Sequence, residues 1–151
     1  MHRLVRLVMH KWLRQERKFV DWASRALVTV SSLYPYGRHE SRQVCETYLP
    51  HAYAVLGYAG QTSRVDQTAI ASLQHNIAGL FLYQGQWRAA EQLLEQVSDI
   101  RKRVLGEEHP DTLTSMANLA STYRNQGRWK EAEELEAVSY THLTLPTNRE
   151  V

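Results

Sequence analysis

Two stretches of this chain repeat each other: NIAGLFLYQGQWRAAE at residues 76–91 and NLASTYRNQGRWKEAE at residues 118–133. Asn, Ala, Gln, Gly, Trp, Ala and Glu recur at matching places, and the two glycines, Gly85 and Gly127, lie 42 residues apart. A self-similar unit of this length is typical of stacked repeats, in which each copy buries its apolar face against the next.

Each copy has the pattern of two helices joined by a tight turn. Gly85 and Gly127 fall at the turn, where a residue without Cβ adopts left-handed φ without strain. Small side chains recur where the two helices are expected to touch, at Ala78, Ala90, Ala120 and Ala132. Trp87 and Trp129 begin each second helix, and their shared repeat position favours packing between helices over a ligand-binding role.

The linker IRKRVLGEEHPDTL, residues 100–113, separates the copies. Its cations and Gly106 suit the end of one helix, and Pro110 followed by Asp111 suits the first turn of the next. The patterns predict seven helices, with a kink or restart at Pro50, over residues 2–16, 18–33, 41–58, 68–84, 86–104, 110–126 and 128 to at least 136. The predicted fold class is all-α.

The first of these helices, residues 2–16, carries its apolar residues on one stripe. They are Leu4, Val5, Val8, Met9, Trp12 and Leu13. The first 20 residues also hold six Lys or Arg against Glu16 alone. These charges suit a solvated helix surface, and an amphipathic mitochondrial presequence is the alternative.

The composition excludes several classes of function. Lys plus Arg number 18 and Asp plus Glu 16, and a net charge of +2 gives no reason to expect nucleic acid. The longest uncharged run, residues 47–63, is short of a membrane span and contains Pro50. Cys45 is the single cysteine, so no internal disulfide forms, and a reducing compartment, the cytoplasm, is expected.

No chemistry of an enzyme is predicted. The seven histidines show no spacing typical of a metal site, and the run of carboxylates from Glu131 to Glu136 suits a solvated helix surface. Neither a nucleophile-elbow GxSxG nor a phosphate-binding GxxxxGK[ST] occurs. We expect no catalytic residue, no metal, no cofactor and no small-molecule substrate in this segment.

The repeated pair resembles the tetratricopeptide repeat in its 42-residue form, the type found in kinesin light chains and in fungal and bacterial signalling proteins. That resemblance implies an α-solenoid in which the first helices of successive hairpins line a concave, peptide-binding groove. By repeat position, the residues expected to face the groove are His75, Asn76, Gly79, Ala117, Asn118, Ser121, Arg124 and Asn125. Asn76 and Asn118 occupy the same repeat position, and an amide can both donate to and accept from a peptide backbone. The alternative is a polar, solvated helix face.

The upstream segments MHRLVRLVMHKWLR, DWASRALVTVSSLYP and CETYLPHAYAVL resemble the part of fungal signal-transduction ATPases (STAND proteins) that lies between an NB-ARC domain and C-terminal repeats. In that family, the histidine of MHRLV or MHDLV contacts the phosphate of the bound nucleotide. The matching residue is His2, and Arg3 departs from the Asp that is usual in the plant-type motif. The resemblance implies a nucleotide-facing role for His2 in a longer parent protein only.

These resemblances divide the chain into four parts. Residues 1–16 would end a winged-helix-like subdomain after a missing NB-ARC domain, and residues 17–60 would form a helical linker or cap. Residues 61–137 would be the repeats, the second copy incomplete. Residues 138–151 begin VSYTHLTLPT, which back-translates as GTC TCT TAT ACA CAT CTG ACG CTG CCG ACG and resembles a transposase adapter used in sequencing libraries. We interpret this tail as an artefact without function, and an evolved β-strand is the alternative.

The sequence therefore predicts a non-catalytic interaction module that binds a protein or peptide, from a cytoplasmic NB-ARC-type signalling protein. One alternative is that this segment is the sensor of a nucleotide-switch NTPase in the parent, which an upstream reading frame with a phosphate loop would indicate. Another is an adaptor of kinesin light chain type, which upstream heptad repeats would favour.

Overall fold

The structure is a computed structural model that describes residues 3–58 and 64–144. Within these ranges the chain folds into seven α-helices and no strand, which confirms the all-α prediction. The helices are α1 (Arg3–Gln15), α2 (Phe19–Leu33), α3 (Arg42–Tyr58), α4 (Arg64–Tyr83), α5 (Trp87–Leu105), α6 (Pro110–Asn125) and α7 (Trp129–Thr144).

The two repeats fold as the hairpins α4–α5 and α6–α7. Gly85 has a φ of 72° and Gly127 a φ of 79°, so both turns use the left-handed conformation that glycine adopts without strain. The alanines predicted at the helix contacts are buried: Ala78, Ala90 and Ala120 have no exposed surface, and Ala132 is 1% exposed. The small-residue pattern therefore identified the packing faces of both hairpins correctly.

The linker between the hairpins is fixed by side-chain contacts. His109 caps α6, its Nδ1 accepting a hydrogen bond from the backbone N–H of Asp111 at 3.1 Å. The buried Arg101 extends from α5 to α6, where its Nη1 donates to the Asp111 carbonyl at 2.8 Å and to Ser115 Oγ at 2.6 Å. A buried guanidinium with two such acceptors fixes α6 against α5.

Two apolar clusters hold the helices together. The first joins α2, α3, α4 and α5, and it includes Leu27, Cys45, Leu73, Ile77 and Leu80. The second joins α4, α5, α6 and α7, and it includes Ala78, Leu94, Leu119, Tyr123 and Ala132. Because α4 and α5 contribute to both clusters, α2, α3 and the repeats form one stack.

Two local expectations differ from the structure. α3 runs through Pro50 as one helix, so of the predicted kink or restart the restart is wrong. Pro50 is exposed, so the carbonyl that loses its donor there can bind water. Trp129 is 62% exposed rather than packed between helices, while its counterpart Trp87 is half-buried.

The amphipathic helix α1 keeps most of its apolar stripe in contact with solvent. It contains no buried residue, and Leu4, Val5, Val8, Met9 and Trp12 are all exposed. It contacts the rest of the chain where the His10, Phe19 and Tyr58 rings cluster with centroids 5.1–5.8 Å apart.

Helix α7 crosses the predicted boundary at residue 138. Val138 to Thr144 continue the helix that begins at Trp129, and Ser139 is buried. Up to Thr144 the tail is therefore helical and not the β-strand given as the alternative, while its interpretation as an artefact stays a prediction. Once a helix is nucleated, each further residue adds one hydrogen bond, and no Pro or Gly interrupts this stretch. Residues 145–151 lie outside the described residues.

Candidate functional site

The residues predicted to face the groove lie on α4 and α6, the first helices of the two hairpins. Their exposure differs between the helices. On α6, Ala117, Ser121, Arg124 and Asn125 are exposed, and Asn118 is half-buried. On α4, His75 and Asn76 are half-buried, and Gly79 is buried. The α4 half of the candidate groove is therefore covered, while the α6 half is open.

The cover is the connection between α2 and α3, residues 34–38, which we call the YPYGR segment. It leaves α2 in an extended conformation at Tyr34, with φ −73° and ψ 115°. Ser41 holds its other end, donating from Oγ to the Tyr36 carbonyl at 2.6 Å and accepting from the Arg38 backbone N–H at 3.0 Å.

The YPYGR segment meets α4 through its backbone. Asn76 Nδ2 donates to the Tyr34 carbonyl at 2.7 Å, and the Gly37 N–H donates to the Asn76 carbonyl at 3.4 Å. The contact is close enough to require glycine on both sides. A Cβ on Gly37 would lie 2.1 Å from the backbone nitrogen of Leu80, and a Cβ on Gly79 would lie 2.6 Å from the Tyr36 ring.

The Tyr36 side chain connects the two repeats. Its ring packs beside His75 on α4, with centroids 5.3 Å apart, and its hydroxyl lies near the Asn118 side chain on α6. Burial raises the pKa of Tyr36 above its ordinary value, and the nearby Arg38 and Asn118 oppose that rise. Thus Asn76 and Asn118, which share one repeat position, both contact the same short segment.

His75 is held in its neutral form. Its Nδ1 is buried without a hydrogen-bond partner among the described residues. Burial lowers the pKa of His75 to about 4, and the Arg101 charge contributes to the lowering while Asp111 opposes it. His75 therefore contributes an uncharged ring beneath Tyr36 and does not present a cation to a ligand at neutral pH.

The open half of the candidate groove is polar. Arg124 forms an ion pair with Glu136 of α7, with Nη2 and Oε1 2.5 Å apart. Its charge is therefore paired within the α6–α7 hairpin. Ala117, Ser121 and Asn125 remain as an exposed strip along α6, and we call these three residues the α6 strip.

The described residues offer little for other kinds of site. No group of three or more His, Cys, Asp or Glu in residues 3–58 and 64–144 could hold a metal ion. No helix in that part of the chain is long and apolar enough to cross a membrane. His2, the candidate nucleotide-facing residue, lies outside the described residues.

Sequence reasoning missed the YPYGR segment as part of the site. The sequence places this stretch only between the predicted helices 18–33 and 41–58. Its two aromatic residues, its Pro and its Gly were the available signal, but nothing local indicated that they would contact residues about 40 positions away.

Comparison with known proteins agrees with this geometry. Residues 69–143 match the tetratricopeptide repeat family. The chain is also 37% identical over 115 residues to a nucleotide-binding leucine-rich repeat (NLR)-like protein of Hyaloscypha variabilis. That match covers 76% of this chain and 12% of the relative, so the chain spans a small part of the relative's length. No solved structure matches the chain.

The family match covers both hairpins, and the relative accounts for part of the chain beyond them. Tetratricopeptide repeats form modules for protein interaction, which fits the described helical stack. Residues 69–143 therefore belong to the tetratricopeptide repeat family, within a chain that is similar to a fungal NLR-like protein.

Proposed function

We propose that the concave face of α4 and α6 binds an extended segment of another protein. The chain would act as a non-catalytic interaction module of a cytoplasmic NB-ARC-type signalling protein. The observation that carries the proposal is the contact between Asn76 and the Tyr34 carbonyl, at 2.7 Å. It supports the view that this repeat position binds extended backbone.

The α6 strip is the part of this face that is open to a partner. Short side chains at Ala117 and Ser121 leave room for a peptide to approach the helix. The half-buried Asn118 lies between them in sequence and bears the same amide as Asn76. A peptide along α6 would gain backbone hydrogen bonds from such amides and specificity from its side chains.

The division of the chain proposed from the sequence assigns the binding role to the repeats alone. Residues 1–16 would connect to the nucleotide-binding part of the parent protein, with His2 facing nucleotide there. Residues 17–60 would cap the stack, and residues 138–151 would have no part in binding. The exposed apolar stripe of α1 supports the first assignment, because it leaves a surface for a neighbouring domain.

Selection from a random peptide library tests the proposal. We expect peptides that bind the wild-type chain to lose at least about tenfold in affinity on Ala117→Arg, since a long charged side chain would fill the strip. Fluorescence anisotropy of the labelled peptides measures this loss.

The matched control is Gln92→Arg, which places the same side chain on an exposed position of α5. It should leave the affinity unchanged. Peptides that bind both variants equally, or a failure to select any peptide, would contradict the proposed groove.

A further inference from the structure

The YPYGR segment has the features of a bound ligand rather than of a simple connection. It is extended where it leaves α2, it gives its Tyr34 carbonyl to Asn76, and it puts an aromatic ring between α4 and α6. These contacts use the residues predicted, from repeat position alone, to face a peptide.

We propose that the YPYGR segment is an intramolecular ligand that masks the α4 half of the groove, and that the groove recognises extended peptides of the same type. This inference rests on the proposed function and specifies its ligand class. The recognised feature is a backbone carbonyl followed, two residues later, by an aromatic side chain. A partner peptide must displace the segment to reach Asn76 and the ring site on Gly79.

The recognition elements are matched to this ligand class in three ways. Asn76 supplies a donor for the first carbonyl, at 2.7 Å. Gly79 supplies the flat surface on which the ring lies, since any Cβ there would occupy the place of the ring. Asn118 supplies a polar neighbour for the hydroxyl at the far end of the ring.

A covalently connected segment competes strongly with a free peptide. A short connection holds the segment at an effective concentration on the order of millimolar at the groove. A free peptide that makes the same contacts can therefore bind only the small fraction of molecules in which the segment has dissociated from the groove. Weakening the segment should therefore increase the affinity for a free peptide, which a purely structural connection would not do.

The test uses the labelled peptide acetyl-Leu-Tyr-Pro-Tyr-Gly-Arg-amide and measures fluorescence anisotropy with the full chain. We expect Tyr36→Ala to bind this peptide at least about tenfold more tightly than the wild type. Adding Gly79→Ala to Tyr36→Ala should remove the gain, because the new Cβ takes the place of the incoming ring. A peptide with its second Tyr replaced by Ala should not bind.

Circular dichroism melting establishes whether each variant is folded. If Tyr36→Ala does not fold, Tyr36→Phe decides the matter, since it keeps the ring and removes only the interaction with Asn118. We then expect Tyr36→Phe to bind the labelled peptide a few fold more tightly than the wild type. No gain in a folded variant overturns the inference.

The two proposals fail differently. If library peptides lose affinity on Ala117→Arg but Tyr36→Ala gains nothing for the Tyr-Pro-Tyr peptide, the groove stands and the masking is wrong. If neither assay detects binding, the groove itself is wrong.

Discussion

Replacing Ala90 with Glu is expected to abolish the cooperative melting of this protein. Ala90 has no exposed surface and lies in the first turn of α5, inside the first repeat hairpin. A carboxylate there would be buried without a partner, and an uncompensated buried charge costs about 3–5 kcal/mol. That amount is comparable to the whole stability of a small domain, which is about 5–15 kcal/mol. Thermal unfolding followed by circular dichroism at 222 nm is the measurement.

Gln92→Glu is the control for this variant, because it introduces the same carboxylate two residues later at an exposed position of α5. This control should shift the midpoint of thermal unfolding by only a small amount, because surface substitutions typically change the free energy of unfolding by no more than about 0.5 kcal/mol. A wild-type melting curve for Ala90→Glu would refute the assigned packing of the hairpin.

Acidification is expected to destabilise the fold through His75. Its pKa is lowered to about 4 in the folded state from 6.5, so the unfolded chain binds a proton more readily than the folded chain. The stability contributed by the neutral ring is therefore complete above pH 6.5 and is lost as the pH falls from 6.5 towards 4. From pH 7 to pH 5 the loss should be about 2 kcal/mol.

His75→Gln isolates this effect, because Gln has a similar size and does not titrate. Urea unfolding of both chains across pH 5–7 gives the comparison, since all other titrating groups are shared. Between pH 7 and pH 5 the free energy of unfolding of the wild type should fall by about 2 kcal/mol more than that of the variant. Parallel pH profiles would show that His75 is not held neutral.

The helices of the repeats were predictable because their determinants are local. Gly85 and Gly127 set the turns, Pro110 opens α6, and alanines recur at the contacts, so each boundary needs only a few neighbouring residues. The same logic allowed a restart at Pro50 and a strand after residue 137. In both places a helix that was already formed continued through sequence that would not have started one.

The candidate site was only half predictable. Repeat position selected Asn76, Gly79 and Asn118, but it could not indicate that the chain itself covers two of them. The bond from Asn76 to Tyr34 joins residues 42 positions apart, and a contact of that range depends on how α2, α3 and α4 pack. Trp129 was misjudged for a related reason: its exposure depends on the neighbours of α7, which its own repeat unit does not specify.

The position of Cys45 gives the chain a chemical reporter. Its thiol has no exposed surface and donates to the Pro35 carbonyl at 3.4 Å, while its own carbonyl accepts from the Tyr34 hydroxyl at 2.9 Å. Because the sequence has one cysteine, a thiol reagent such as dithionitrobenzoate has a single target. The reagent requires an accessible thiolate, so its rate with the native protein reads out how often the YPYGR segment lifts away from α3. The kinetics of this thiol–disulfide exchange thus follow the opening of this connection in the unmodified sequence, without any fluorophore or substitution.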